Sequence, residues 1–119
     1  MTQRHDSVLS DDYFKFLVAT TQLYKELYKE LSSRINGYDI LLKNYVNDTT
    51  PLEKLKEAKD STLGLLDSTS IRINLQQMEY ARLEYFMLHG NKVIGIHPEL
   101  EASFYEWNLT RMKTEMTLH

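Results

Sequence analysis

The sequence contains no cysteine, only two prolines and only four glycines among 119 residues. The absence of cysteine excludes disulfide bonds, thiolate metal sites and a thiol nucleophile, and it agrees with a reducing cytoplasm. Few prolines and glycines favour long helices, because these residues are the main helix breakers. No run of eighteen apolar residues and no apolar amino-terminal segment occur, so the sequence predicts neither a membrane span nor a secretion signal.

The charge balance and the histidines exclude further classes of function. The net charge is −3, so no positive field attracts nucleic acid or anionic lipid, and neither is expected as a partner. The four histidines (His5, His89, His97 and His119) show no ligand spacing, and no Glu-x-x-His motif occurs on a predicted helix. We therefore predict no metal and no cofactor. The length and the 42% apolar content fit a single globular domain over residues 1–119.

Apolar side chains repeat every three or four residues after Ser10, which predicts a first helix over residues 10–47. Ser10 is the expected amino-terminal cap, and residues 1–9 are expected to form a disordered tail. The repeat is that of a coiled coil with one additional four-residue step. It runs through Tyr13, Leu17, Thr20, Tyr24, Leu27, Leu31, Ile35, Tyr38, Leu42 and Tyr45. A break at Gly37 is the alternative, because a glycine inside a helix costs about 1 kcal/mol relative to alanine.

Two further helices are predicted, over residues 50–89 and 98–117. Thr50 and Pro51 form a helix start signal, Gly90 is the expected terminator of the second helix, and Pro98 opens the third. The second helix carries the repeat Leu52, Leu55, Lys59, Thr62, Leu66, Thr69, Ile73, Gln76, Tyr80, Leu83 and Met87. Its middle is polar, so a break at Ser68–Ser70 is the alternative. We therefore predict an all-α fold in which a long antiparallel helical hairpin is joined by a shorter third helix.

The second and third helices each have two apolar faces, which indicates cover on both sides. The second face of helix 2 contains Ile71, Leu75, Met78, Arg82, Tyr85 and His89. One face of helix 3 contains Leu100, Phe104 and Trp107, and the other contains Ala102, Tyr105, Leu109, Met112 and Met116. Pairing two hairpins into a helical-bundle dimer would bury these faces. A chain that breaks at Gly37 or Ser68–Ser70 into a compact four- or five-helix bundle would bury them internally.

The segment "RLEYFMLH" contains the only candidate catalytic pair, Arg82 and His89, which share one helix face. An Arg and a His with this spacing on one helix resemble the signature of the HEPN ribonucleases, which are small helical dimers. The resemblance implies that His89 acts on an RNA 2′-hydroxyl and that Arg82 stabilises phosphate charge. In the structural interpretation, His89 interacts with the helix end and Arg82 pairs with a carboxylate such as Glu101 or Glu106.

The structural interpretation is preferred for this pair, because the neighbouring Glu79 and Glu84 would repel a phosphodiester. The sequence therefore predicts a non-enzymatic protein–protein interaction module, a small cytoplasmic adaptor or regulator that self-associates through helix faces. The residues expected to bind a partner are Ile71, Leu75, Met78, Tyr85, Leu100, Phe104 and Trp107. A HEPN-like ribonuclease that uses Arg82 and His89 is the alternative function.

Overall fold

A computed structural model describes residues 2–45, 51–90 and 95–118 of the chain. Three α-helices occupy these ranges: α1 (Thr2–Lys43), α2 (Leu52–Leu88) and α3 (Pro98–Leu118). No strand occurs within them. The long helices α1 and α2 form an antiparallel hairpin, and α3 is about half as long as either. The predicted all-α class and hairpin topology are therefore confirmed, while the pairing of two chains stays a prediction.

The main difference from the predicted helix boundaries lies at the start of α1. This helix begins at Thr2, so residues 2–9, which were expected to form a disordered tail, lie within it. Ser10 is consequently inside the helix and does not cap it. The physical reason is that residues 2–10 contain no glycine or proline to stop the helix from extending towards the amino terminus.

The other helix ends lie close to their predicted positions. Helix α1 ends at Lys43, and the predicted end at residue 47 and the predicted cap at Thr50 lie outside the described residues. The carbonyl of Pro51 accepts hydrogen bonds from the amides of Lys54 and Leu55, so Pro51 precedes α2 and is not its first residue. Gly90 follows α2 with a φ of 68°, as expected for a left-handed helix terminator.

Neither of the two suspected breaks occurs. Helix α1 continues through Gly37, and α2 continues through Ser68–Ser70. The alternative of a compact four- or five-helix bundle is therefore not the fold of this chain. The described residues group into two compact units, one containing Met1–Thr21 and Gln76–His119 and the other Gln22–Leu75. The assignment of residues 1–119 to a single domain stays a prediction.

The unit Gln22–Leu75 consists of facing parts of α1 and α2. Leu31 is buried on α1, and Thr62 and Thr69 are buried on α2, all three at positions of the predicted repeats. Each threonine hydroxyl donates a hydrogen bond to the carbonyl four residues earlier in its own helix. These bonds satisfy the buried hydroxyls and offset the cost of removing them from water, and α2 continues through its polar middle.

The second unit (Met1–Thr21 and Gln76–His119) has an aromatic core built from all three helices. The side chains exposed by no more than 2% are Tyr13, Phe16, Leu17, Gln76, Leu83, Leu100 and Phe104. The Phe104 ring lies 5.2 Å from that of Tyr13 and 5.5 Å from that of Phe16, measured between centroids. Full burial of such a side chain contributes about 1.5–3 kcal/mol. These contacts fix α3 against the hairpin by its Leu100–Phe104 face.

Gln76 is the one amide among these buried side chains. Its Nε2 donates hydrogen bonds to the hydroxyls of Thr20 and Thr21, at 2.8 and 2.9 Å. Its Oε1 has no protein partner. Tyr13 bonds to Glu79, and Thr20, seven residues later on α1, bonds to Gln76, three residues earlier on α2. The two helices are therefore antiparallel here. A buried polar pair of this kind holds two helices in one register.

Replacing Gly37 or Gly64 with alanine should stabilise the fold by about 0.5–1 kcal/mol per substitution. Both glycines lie inside helices, and a Cβ atom at either position meets nothing within 4 Å. Urea denaturation followed by circular dichroism measures the change. Gly95→Ala is the control, because the φ of 79° at Gly95 strains any residue with a side chain, so this variant should lose stability.

Candidate functional site

Helix α3 has one face in the core and one face exposed to solvent. Leu100 and Phe104 are 0% exposed, and Trp107 is half-buried against the Phe16 ring at 5.8 Å between centroids. These three residues were expected to bind a partner. Leu100 and Phe104 instead belong to the chain's own core, because they fill the space between α3 and the aromatic side chains of α1.

The opposite face of α3 is apolar and exposed, and we call it the α3 outer stripe. Its four large side chains are each between 49% and 77% exposed. Its members are Ala102, Tyr105, Leu109, Met112 and Met116. Their spacing of three, four, three and four residues places them in one row along the helix. An isolated exposed leucine is ordinary, but a continuous apolar row usually marks an interaction surface.

The second face of α2 is also exposed at several predicted positions. Ile71 is exposed and Leu75 half-buried in the unit Gln22–Leu75. Met78 and Tyr85 are exposed in the unit that contains α3. These four residues were predicted to bind a partner, and they are not fully buried within one chain, so that prediction stays open. The polar side chains of Arg82 and His89 belong to the same face of α2, so the α3 outer stripe is the more continuous apolar surface.

Arg82 pairs with Glu79 and not with Glu101 or Glu106. Its Nε and Nη2 donate to the two carboxylate oxygens of Glu79, the Nη2 bond being 2.9 Å long. Glu79 precedes Arg82 by three residues, which is a favourable spacing for an ion pair on a helix. That spacing was the available sequence signal, but the burial of Glu79 could not be known without the fold.

Glu79 is the centre of a buried polar cluster. Its side chain is almost completely enclosed, with the residue only 4% exposed, and it accepts hydrogen bonds from three groups. The donors are the Tyr13 hydroxyl at 2.6 Å, the Arg82 guanidinium and the backbone amide of His97 at 3.1 Å. A buried carboxylate is stable only when paired and hydrogen-bonded in this way.

The cluster shifts the pKa values of its members in directions that follow from the geometry. Desolvation by burial favours the neutral carboxyl, but the hydrogen bonds from Arg82 and Tyr13 outweigh it and lower the pKa of Glu79. Burial, together with the hydrogen bond to the Glu79 carboxylate, raises the pKa of the Tyr13 phenol. The bond to Glu79 raises the pKa of Arg82. At neutral pH the cluster is therefore a carboxylate, a neutral phenol and a guanidinium.

The same cluster holds the segment that leads into α3. The amide of His97 donates to Glu79, and Arg82 Nη2 donates to the carbonyl of Gly95 at 3.2 Å. The Nδ1 of His97 then accepts a bond from the amide of Glu99 in the first turn of α3. These bonds fix the start of α3, and the burial of Leu100 and Phe104 fixes its rotation. Together they determine that the α3 outer stripe faces solvent.

His89 is separate from the Glu79 cluster. Its Nδ1 lies 2.8 Å from the carbonyl oxygen of Tyr85, and its ring stacks on the Tyr85 ring at 4.1 Å between centroids. His89 follows the last residue of α2, and its ring contacts the carboxyl end of that helix, as the structural interpretation expects. No hydrogen bond or ring contact joins Arg82 to His89, although both are described. The guanidinium is neutralised by Glu79, so this geometry lends no support to a phosphate-binding pair.

A groove of about 730 Å³ lies beside Trp107. It is lined by Asp11, Phe14, Lys15, Val18, Ala19, Tyr80, Trp107 and Arg111. The Arg111 guanidinium lies 5.1 Å from the centroid of Trp107 and pairs with Asp12 at 3.1 Å. Trp107, predicted to bind a partner, thus forms part of the wall of an apolar groove with charged edges.

Comparison with known proteins adds no relative. No protein-family model, no curated protein and no solved structure shows significant similarity to the chain. Among the described residues, no three His, Asp or Glu side chains converge as metal ligands. Within the same ranges, no helix has the length and apolar character needed to cross a membrane.

Proposed function

We propose that the protein is a non-enzymatic interaction module, a small cytoplasmic adaptor or regulator that associates with its own copy and with another protein. The observation that carries the proposal is the α3 outer stripe. It presents four large apolar side chains on a helix whose other face is anchored in the core. A surface helix normally hides its apolar stripe, so a second, exposed stripe indicates a binding partner.

The anchoring of α3 supports the same function. Leu100 and Phe104 are completely buried, and the bonds of Glu79 and Arg82 hold the preceding segment. A surface that is already fixed loses little conformational entropy when a partner binds. The exposed residues Tyr105 and Met112 are of types enriched in the centres of protein interfaces. The stripe is therefore a preorganised apolar surface of a type suited to protein recognition.

Leu109→Asp should abolish self-association, because it places a carboxylate in the middle of the stripe. Sedimentation velocity measures the degree of self-association at protein concentrations of about 1 to 200 µM, which cover micromolar dissociation constants. Leu65→Asp is the matched control, since Leu65 on α2 is 59% exposed and Leu109 is 54% exposed. We expect the control to associate like the wild type. Equal behaviour of the two variants would contradict the assignment of the surface.

A further inference from the structure

The α3 outer stripe has the spacing of a coiled-coil seam. With Ala102 at a heptad position a, Tyr105 takes d, Leu109 takes a, Met112 takes d and Met116 takes a. All five positions are exposed. The buried or half-buried residues of α3 fall at other heptad positions: Leu100, Ser103, Phe104, Trp107, Asn108 and Arg111. The helix is thus divided between an inner face for its own core and an outer seam for another helix.

We propose that this seam binds the same seam of a second copy of the chain, with the two α3 helices antiparallel about a two-fold axis. The inference rests on the proposed function and names the partner of that surface. A two-fold interface joins one patch to itself, so the seam must be self-complementary. Pairing a with d positions places Leu109 against Met112 of the second copy and Tyr105 against Met116. Each layer then contains one methionine, whose flexible side chain fills the space beside its neighbour.

The charges beside the seam favour the antiparallel direction. Glu106 and Lys113 are two of the residues at e positions, and e positions face each other across an antiparallel pair. In the a–d pairing above, Glu106 lies opposite Lys113 of the second copy, and symmetry gives this attraction twice. A parallel, in-register pair instead brings Glu101 of one helix beside Glu106 of the other. Opposite charges therefore flank the antiparallel seam, and like charges flank the parallel one.

The same charges also select the register. Shifting the antiparallel pair by one heptad brings Glu106 against its own copy at the axis. The shift also places Glu101 opposite Glu115 of the second copy, twice by symmetry. The shifted register also pairs Glu99 with Lys113 of the second copy, twice by symmetry. Its two attractive contacts are outnumbered by three like-charge contacts, one between the Glu106 copies and two between Glu101 and Glu115. The register with Leu109 opposite Met112 contains no like-charge contact among these flanking positions, so it is the one we assign.

Spin-label distances in the full chain test this geometry. The protein has no cysteine, so Thr110→Cys and Glu101→Cys each introduce a single labelling site. The two-fold axis lies beside Thr110, where the two helix axes should be about 10 Å apart, so the labels at this site should give the shorter distance. Glu101 lies far from the axis, and its two copies should be about 30 Å apart at 1.5 Å of rise per residue. Short distances at both sites would overturn the antiparallel arrangement but leave the interaction function intact.

Charge reversal gives an independent readout. Glu106→Lys alone should weaken association roughly tenfold, because it places like charges in two symmetric contacts. Combining it with Lys113→Glu should restore the wild-type affinity. A parallel dimer predicts the opposite sign for Glu106→Lys, which would relieve the contact with Glu101 and strengthen association. If the wild-type chain stays monomeric up to about 200 µM, self-association is contradicted, and with it that part of the proposed function.

Discussion

Replacing Glu79 with alanine is expected to destabilise the fold by about 3 kcal/mol, the upper end of the cost of leaving buried hydrogen-bond donors without their acceptor. The substitution leaves the Tyr13 hydroxyl, the Arg82 guanidinium and the His97 amide without their common acceptor. Since a small domain is stable by only 5–15 kcal/mol in general, the loss should be obvious in urea denaturation at neutral pH. Glu84→Ala is the control, because Glu84 is exposed on the same helix. Equal losses in both variants would contradict the account of the cluster.

The pH dependence of the free energy of unfolding distinguishes the effect of the Glu79 charge from that of its side-chain volume, because Glu79→Gln removes the charge and keeps the volume. Its pKa in the folded chain lies below the ordinary value of 4.5, so its contribution to stability is complete above pH 4.5 and declines as the pH falls further. The stability advantage of the wild type over Glu79→Gln should therefore be constant near neutral pH and shrink below pH 4.5.

Tyr13 affects the stability at high pH. Because its pKa is raised in the folded chain, the free energy of unfolding should decline above the ordinary tyrosine pKa of 10, and Tyr13→Phe should remove that decline.

Phe104→Ala is expected to cost about 3–5 kcal/mol, since a buried phenylalanine leaves a large cavity. The Phe104 ring is completely buried and contacts the rings of Tyr13 and Phe16. Its chain neighbour Tyr105 is 51% exposed and offers a matched control. At concentrations low enough to keep the chain monomeric, Tyr105→Ala should change the free energy of unfolding by less than about 1 kcal/mol. Thermal denaturation of the two variants measures the contrast.

A Phe104→Ala variant as stable as Tyr105→Ala would mean that α3 is not anchored by its Leu100–Phe104 face. The proposed surface depends on that anchoring, because a helix that rotates freely does not present one fixed stripe. The comparison therefore tests the fold and the orientation of the candidate site in one experiment.

The helical repeats predicted most of the fold, because they record which side of each helix is buried. Tyr13, Leu17 and Leu31 on α1, and Thr62, Gln76 and Leu83 on α2, are all buried at predicted positions. Helix continuity at Gly37 and Ser68–Ser70 also follows, since the repeats keep their phase across both segments. The start of α1 at Thr2 was missed, because a cap residue such as Ser10 is compatible with a helix interior as well.

The site was less predictable than the fold. Both apolar faces of α3 were visible in the sequence, but only packing shows that Leu100 and Phe104 face inwards and Leu109 and Met112 outwards. The partner of Arg82 depended on the burial of Glu79, which periodicity alone does not reveal. Charged residues three or four apart occur both on exposed and on buried faces of helices, so their spacing does not show whether they are buried.

The most direct test of the account asks whether the α3 outer stripe is covered in solution. The methionine methyl groups of the ¹³C-labelled chain can be compared by NMR in the presence of a soluble paramagnetic probe. In a single chain, Met116 on α3 and Met78 on α2 are similarly exposed, at 77% and 72%. We expect the Met112 and Met116 signals to be protected at high protein concentration and the Met78 signal to broaden. Equal broadening of Met116 and Met78 at every concentration would contradict the central claim.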